Sequence, residues 1–135
     1  MNKYLLPIVS LATAVTILMG AMGAHALKSI LTTSQLDSYE TALRYQLVHL
    51  LALLLTGLMT FQFKKISFKW VIRFFSWGIL FFSGSIYLII YFQHQTTTIP
   101  RGLVLLTPLG GLLLTTGWTA LAATLYKAIA QQVEN

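Results

Sequence analysis

The stretch YETALRYQLVHLLAL, Tyr39 to Leu53, opens as a polar, charged helix start and runs without a break into a helix suited to lipid. At 100° per residue, Thr41, Tyr45, His49, Ala52 and Thr56 share one stripe, with Arg44 about 60° to its side. Glu40 stands four residues before Arg44, at ion-pair spacing. Ionisable and strongly polar side chains are costly in hydrocarbon and need partners there. Glu40, Arg44, Tyr45, Gln46 and His49 therefore mark the centre of a polar seam that other helices must meet.

The surrounding chain fits that reading. Of its 135 residues 56% are hydrophobic and only 9% charged, with a mean hydropathy of +0.75, against about 25% charged in soluble domains. This composition is that of an integral membrane protein. A span needs about 20 apolar residues to cross roughly 30 Å of hydrocarbon, so the length accommodates a single membrane domain of a few spans. The net charge of +6 comes from basic residues standing singly or beside apolar runs, with no groove-reading motif or aromatic-basic platform, which excludes nucleic acid as a partner. The chain has no cysteine, so disulfides, thiol catalysis and thiolate metal sites are excluded.

Four spans are expected, at about 4–26, 38–63, 70–92 and 102–126. The first carries Pro7 where an opening helical turn tolerates it. Lys3 and the Ala24-His25-Ala26 end imitate a signal peptide, but the apolar run exceeds the usual h-region of about 7–15 residues, so it is read as retained. Ser34 and Asp37 look like a capping pair for the second helix. That helix, from near Gln35, is longer than the hydrocarbon is thick and must protrude or tilt. The third span contains Ser83-Gly84-Ser85, a threonine-rich connection follows from Gln93 to Arg101, and Pro108 either kinks the fourth helix or begins it. The residues after Lys127 form a short polar tail. The fold class is thus an all-α, up-down-up-down bundle of four transmembrane helices.

Lipid gives helices no hydrophobic reason to associate, so small residues that permit close approach have to supply much of the attraction. Two ladders at four-residue spacing offer them: Ala12, Thr16, Gly20 and Ala24 in the first span, and Thr107, Gly111, Thr115, Thr119 and Ala123 in the fourth.

The charge rule gives an orientation. Six basic residues, Lys3, Lys64, Lys65, Lys69, Arg73 and Lys127, flank one side, and three, Lys28, Arg44 and Arg101, the other. Both termini are therefore expected in the cytoplasm, with the protein in the inner (plasma) membrane. The turn at Lys64–Lys69 could also hold anionic lipid headgroups, but it is smaller than the usual basic cluster, and topology alone accounts for it.

With the outer boundary near Glu40, Gln93 and Arg101, His49, Ser83 and Gly111 lie about 13 to 15 Å further in. His25 is expected at the outer surface. The conspicuous polar and glycine positions, His25, Glu40, Arg44, Tyr45, Gln46, His49, Ser83, Ser85, Thr107, Gly110 and Gly111, then crowd the outer half, as in a blind pocket and not a pore. His49 has the chemistry of a proton acceptor, and equally of a neutral histidine bonded between helices, with Ser83 or Ser85 as partners. No catalytic or metal constellation is assembled. His25, His49 and Glu40 match no ligand spacing, and Ser85, His49 and Glu40 lack the nucleophile elbow of a hydrolase. No cofactor is implied.

Four motifs in order, Gly20-Ala21-Met22-Gly23-Ala24-His25, Glu40 to His49, Phe82-Ser83-Gly84-Ser85-Ile86-Tyr87 and Thr107-Pro108-Leu109-Gly110-Gly111 followed by Gly117-Trp118, resemble the YgdD/YwdK-like membrane proteins, domain-of-unknown-function family 423. The resemblance covers nearly the whole chain; Met22 stands where many members have phenylalanine. It implies a four-span bacterial inner-membrane protein without an established activity, carries over no catalytic residue, and supports retention of the first span. Two roles follow as expectations. One is a structural or accessory component, as a homo-oligomer or within a larger membrane complex. The other is a binding or transport module for a small solute or proton, with its pocket in the outer half.

Overall fold

The computed structural model describes residues 4–96 and 98–133. Lys3 of the basic side, Thr97 of the third connection and the last two residues of the tail lie outside the described residues. Among the described residues four α-helices follow one another: α1 (Leu5–Ala24), α2 (Thr33–Gln62), α3 (Lys69–His94) and α4 (Arg101–Val133), with a 3-10 turn at Leu27–Ser29 between the first two. Each is long and apolar enough to cross a membrane. The chain forms an all-α, four-helix transmembrane bundle, up-down-up-down.

Helix starts follow from local chemistry. Thr32, in extended conformation, caps α2: its hydroxyl accepts from the Gln35 N–H at 3.3 Å, while its own N–H donates to Gln35 Oε1 at 3.0 Å. This reciprocal pair satisfies two end groups at once, and it displaces the expected Ser34–Asp37 cap into the first turns. There the main-chain oxygens of Ser34 and Asp37 accept from Ser38 and Thr41 hydroxyls. Pro108 lies inside α4, which starts at Arg101. It therefore does not begin the helix, and its missing N–H leaves the Val104 carbonyl without its helical donor. Helix α4 also continues to Val133, through the expected polar tail.

The core gathers Val9 of α1, Leu50, Ala52 and Leu53 of α2, and Val71, Phe75, Leu114 and Leu121 of α3 and α4. Helix α1 lies against α2, α2 against α3, and α3 packs most extensively on α4. Leu11 and Leu18 of α1 and Leu105 and Leu112 of α4 are exposed, forming apolar surface for lipid.

The small-residue ladders sit differently from expectation. In α4 the buried face is Gly110, Leu114, Gly117 and Leu121, whereas Thr115, Thr119 and Ala123 are exposed. The Thr115 and Thr119 hydroxyls donate to the main-chain oxygens of Gly111 and Thr116. A threonine satisfied on its own helix can face lipid at little cost, so a run of small residues does not identify the packed face. In α1, Thr16 is buried and Ala12 packs against the core, but Gly20 has open space beside it and Ala24 is exposed. Gly23 makes the contact at that end, against the Tyr39 ring.

At Gly110 the backbones of α3 and α4 meet. A Cβ there would fall 2.7 Å from Phe82 Cα and 2.8 Å from the Phe81 carbonyl carbon. Gly78 receives Leu114 and Gly117 receives Phe75 along the same antiparallel seam. Because backbone cannot rotate aside, Gly110→Ala is expected to destabilise the bundle by about 1–3 kcal/mol, the usual range for overpacking. Gly20→Ala, with nothing within 4 Å, should leave thermal unfolding in detergent unchanged.

Candidate functional site

Gln46 points inward from α2 and joins three helices. Its Nε2 donates to the Thr16 hydroxyl of α1 at 2.6 Å, and its Oε1 accepts from the Tyr87 hydroxyl of α3 at 3.1 Å. Thr16 in turn donates to the main-chain oxygen of Ala12 at 2.8 Å. Tyr39, about two turns nearer the start of α2, donates to the Met19 carbonyl of α1 at 2.8 Å, and its ring lies 5.5 Å from that of Tyr87. The α1–α2–α3 side is thus stitched by one glutamine, one threonine and two tyrosines.

His49 joins α2 to α4. The Trp118 indole N–H donates to His49 Nε2 at 3.0 Å, and His49 Nδ1 lies 2.7 Å from the Tyr45 carbonyl one turn back. An indole nitrogen only donates and a carbonyl only accepts, which assigns the neutral ring with hydrogen on Nδ1 and a lone pair on Nε2. The imidazole is 6% exposed and sits among aromatic rings, 5.6 Å from Phe75 and 6.0 Å from Trp118. Its partner across the helices is Trp118 and not Ser83 or Ser85. Both serines are buried but turn elsewhere: Ser83 donates to the Ala42 carbonyl of α2 at 2.8 Å, and Ser85 shares a 2.6 Å hydrogen bond with Thr107 of α4.

The other residues marked by the sequence stand apart from these bonds. His25 is exposed at the end of α1, and Glu40 and Arg44 are exposed on α2. Arg44 Nε reaches the main-chain oxygen of Glu40 at 3.5 Å, so the contact is to backbone. Tyr45 is 45% exposed and stacks its ring on Phe82 at 4.4 Å. Gly110 serves the α3–α4 contact, with Gly111 beside the Phe82 ring. Between α2, α3 and α4, at the end of the bundle where α2 begins, lies a cleft of about 370 Å³ whose polar lining includes Ser34, Asp37, Thr41, Gln93 and Thr107. Gln46 and His49 do not line it.

Tyr39, Tyr87 and Trp118 complete these bonds, and sequence reasoning did not count them in the seam. Tyrosine and tryptophan are common at membrane boundaries, so nothing marked these three as partners of the seam, although all stand in the stretch and motifs quoted above. The available signal was the need of His49 and Gln46 for partners long enough to cross between helices.

The description "Protein of unknown function (DUF423)" belongs to the family model that matches residues 19–111. A UPF0382 membrane protein of Haemophilus influenzae is 35% identical over 131 residues, 94% of this chain and 96% of that protein. A UPF0382 membrane protein of Staphylococcus haemolyticus is 32% identical, covering 89% of this chain and 93% of its own. The UPF0382 inner membrane protein YgdD of Escherichia coli K12 is 30% identical, covering 87% and 85%. No solved structure matches.

The geometry at His49 makes a graded set of substitutions informative. His49→Leu removes both bonds and is expected to lower stability by about 0.6 kcal/mol and at most about 1.7, the average and maximum for hydrogen bonds between membrane helices. His49→Gln keeps an acceptor near the Nε2 position and should recover most of that loss. His49→Asn, whose amide mimics only Nδ1, should not. Unfolding of each variant in detergent or bicelles is the measurement; equal losses for Gln and Asn would show that the Trp118 bond contributes nothing.

Proposed function

This chain belongs to the DUF423 family, and we propose that it serves as a structural or accessory component of the membrane, its polar seam holding helices together. The observation that carries this reading is that both ring nitrogens of His49 are engaged. Among the described residues, moreover, no buried side-chain nitrogen or oxygen lacks a partner. A site that bound a solute or relayed a proton would need a free donor or acceptor, or a water path, at the seam. Adding a proton at Nε2 would set a hydrogen against the Trp118 N–H and cost that bond. The seam is chemically spent on packing.

A second reading rests on the outer cleft, where the Asp37 carboxylate and several hydroxyls surround about 370 Å³. It would take a small polar solute at the surface, apart from His49. We place the protein in the plasma membrane with both termini and the Lys64–Lys69 turn in the cytoplasm, on the strength of the basic-residue asymmetry, as part of a homo-oligomer or larger complex.

In proteoliposomes the purified protein is expected to pass neither protons nor small ions, and mild-detergent purification should yield it as an oligomer or with a stable partner. Flux with the protein alone would favour the second reading. For orientation, single cysteines enter a chain that has none. In intact cells a membrane-impermeant thiol reagent should label Thr98→Cys and spare Ser67→Cys; the reverse pattern would invert the topology.

A further inference from the structure

Where α2 ends and α3 begins, the chain folds around a cavity of about 890 Å³. Four cations line it, Lys64, Lys65, Lys69 and Arg73, all exposed, with no acidic residue beside them among the described residues. Its remaining wall is largely apolar, from Leu5 of α1 and Ile66 and Ile72 of the turn and α3. We propose that this cavity is a binding site for the phosphate-bearing headgroup of an anionic phospholipid, with the basic side chains on the phosphate and the apolar wall against the start of the acyl chains.

Several features make the turn a built site instead of a loose run of lysines. Phe68, 1% exposed, anchors it in the core, with its ring 6.2 Å from that of Phe63. The Ile66 N–H donates to the Phe63 carbonyl at 3.0 Å, closing the turn. Arg73 is held with its guanidinium 4.9 Å from the Trp70 ring centre, a cation–π contact that orients the group. No side chain caps the start of α3, so its first N–H groups add to the positive field.

The cations also lack a neutralising group within the described structure. Its two acidic residues, Asp37 and Glu40, lie near the start of α2, and 24 residues of helix and turn separate Glu40 from Lys64, about 36 Å at helical rise. The pairing of Gly110 with Phe82 and of Leu114 with Gly78 sets Lys69 level with Ala123. Val133 of α4 lies ten residues, about 15 Å of helix, past the level of Lys69. Four cations at a membrane boundary, open on one side and apolar on the other, match a lipid headgroup better than a soluble anion, because basic pockets between transmembrane helices are a recognised headgroup environment.

The test uses the full chain in detergent and follows thermal unfolding against three probes: a short-chain phosphatidylglycerol, the matching phosphatidylcholine, and inorganic phosphate. Phosphatidylglycerol should raise the melting temperature saturably while the other two at equal concentration leave it unchanged. Lys65→Gln and Lys69→Gln, made singly to keep the fold, should each weaken apparent affinity about fivefold, from about 1 kcal/mol per cation at a membrane surface. Lys28→Gln and Arg101→Gln, at the other membrane face, should not. Equal stabilisation by phosphatidylcholine, an equal effect of inorganic phosphate, or full affinity in both lysine variants would each overturn the proposal.

Discussion

The bundle depends on the side-chain amide of Gln46, which uses its donor on Thr16 of α1 and its acceptor on Tyr87 of α3. Burying leucine against leucine gains little when lipid is the alternative, so helices in a bilayer associate through close packing and interhelical hydrogen bonds. An amide in hydrocarbon without a partner costs several kcal/mol in the most apolar reference. That penalty is what fixes the rotation of α2. Once Gln46 is satisfied on both sides, Tyr39 meets α1, the Ala42 carbonyl meets Ser83, and His49 meets Trp118.

Glycine supplies the other half of the attachment. On the α3–α4 seam, Gly110, Gly78 and Gly117 each receive atoms of the opposite helix, which brings the backbones close enough for Ser85 and Thr107 to bond at 2.6 Å. Between α1 and α2, Gly57 takes the Leu6 side chain and Gly23 the Tyr39 ring. Polar bonds specify rotation and glycines specify distance, and the two recur on the same helix faces.

Hydropathy made the four helices legible, since a span has to be continuously apolar over a fixed length and few other folds require that. Gln46 and His49 stood out for the complementary reason that polar groups are expensive there. Their partners were not legible. Whether His49 meets Ser83 or Trp118 depends on helix rotation and register, which no single helix's sequence fixes. The α4 ladder misled because Thr115 and Thr119 satisfy themselves on their own backbone. Four-residue spacing of small residues therefore describes two faces equally well. The α2 cap was misplaced by two residues because both Thr32-x-x-Gln35 and Ser34 with Asp37 carry capping chemistry, and only the former closes reciprocally. The basic turn was legible as a flank of one sign, but the cavity that Leu5, Ile66 and Ile72 complete beside it, and the cleft lined by Asp37, Gln93 and Thr107, depend on which residues adjacent helices bring together.

The central claim is that these bonds hold the helices, and a double-mutant cycle on Gln46 and Tyr87 tests it most directly. Gln46→Leu, Tyr87→Phe and the double variant would be unfolded reversibly in bicelles beside the parent protein. A coupling of about 0.6 kcal/mol, and at most about 1.7, is expected, with the double variant losing less than the sum of the singles. Strict additivity, with both single losses measurable, would mean that Gln46 and Tyr87 do not act on each other, and would contradict the account.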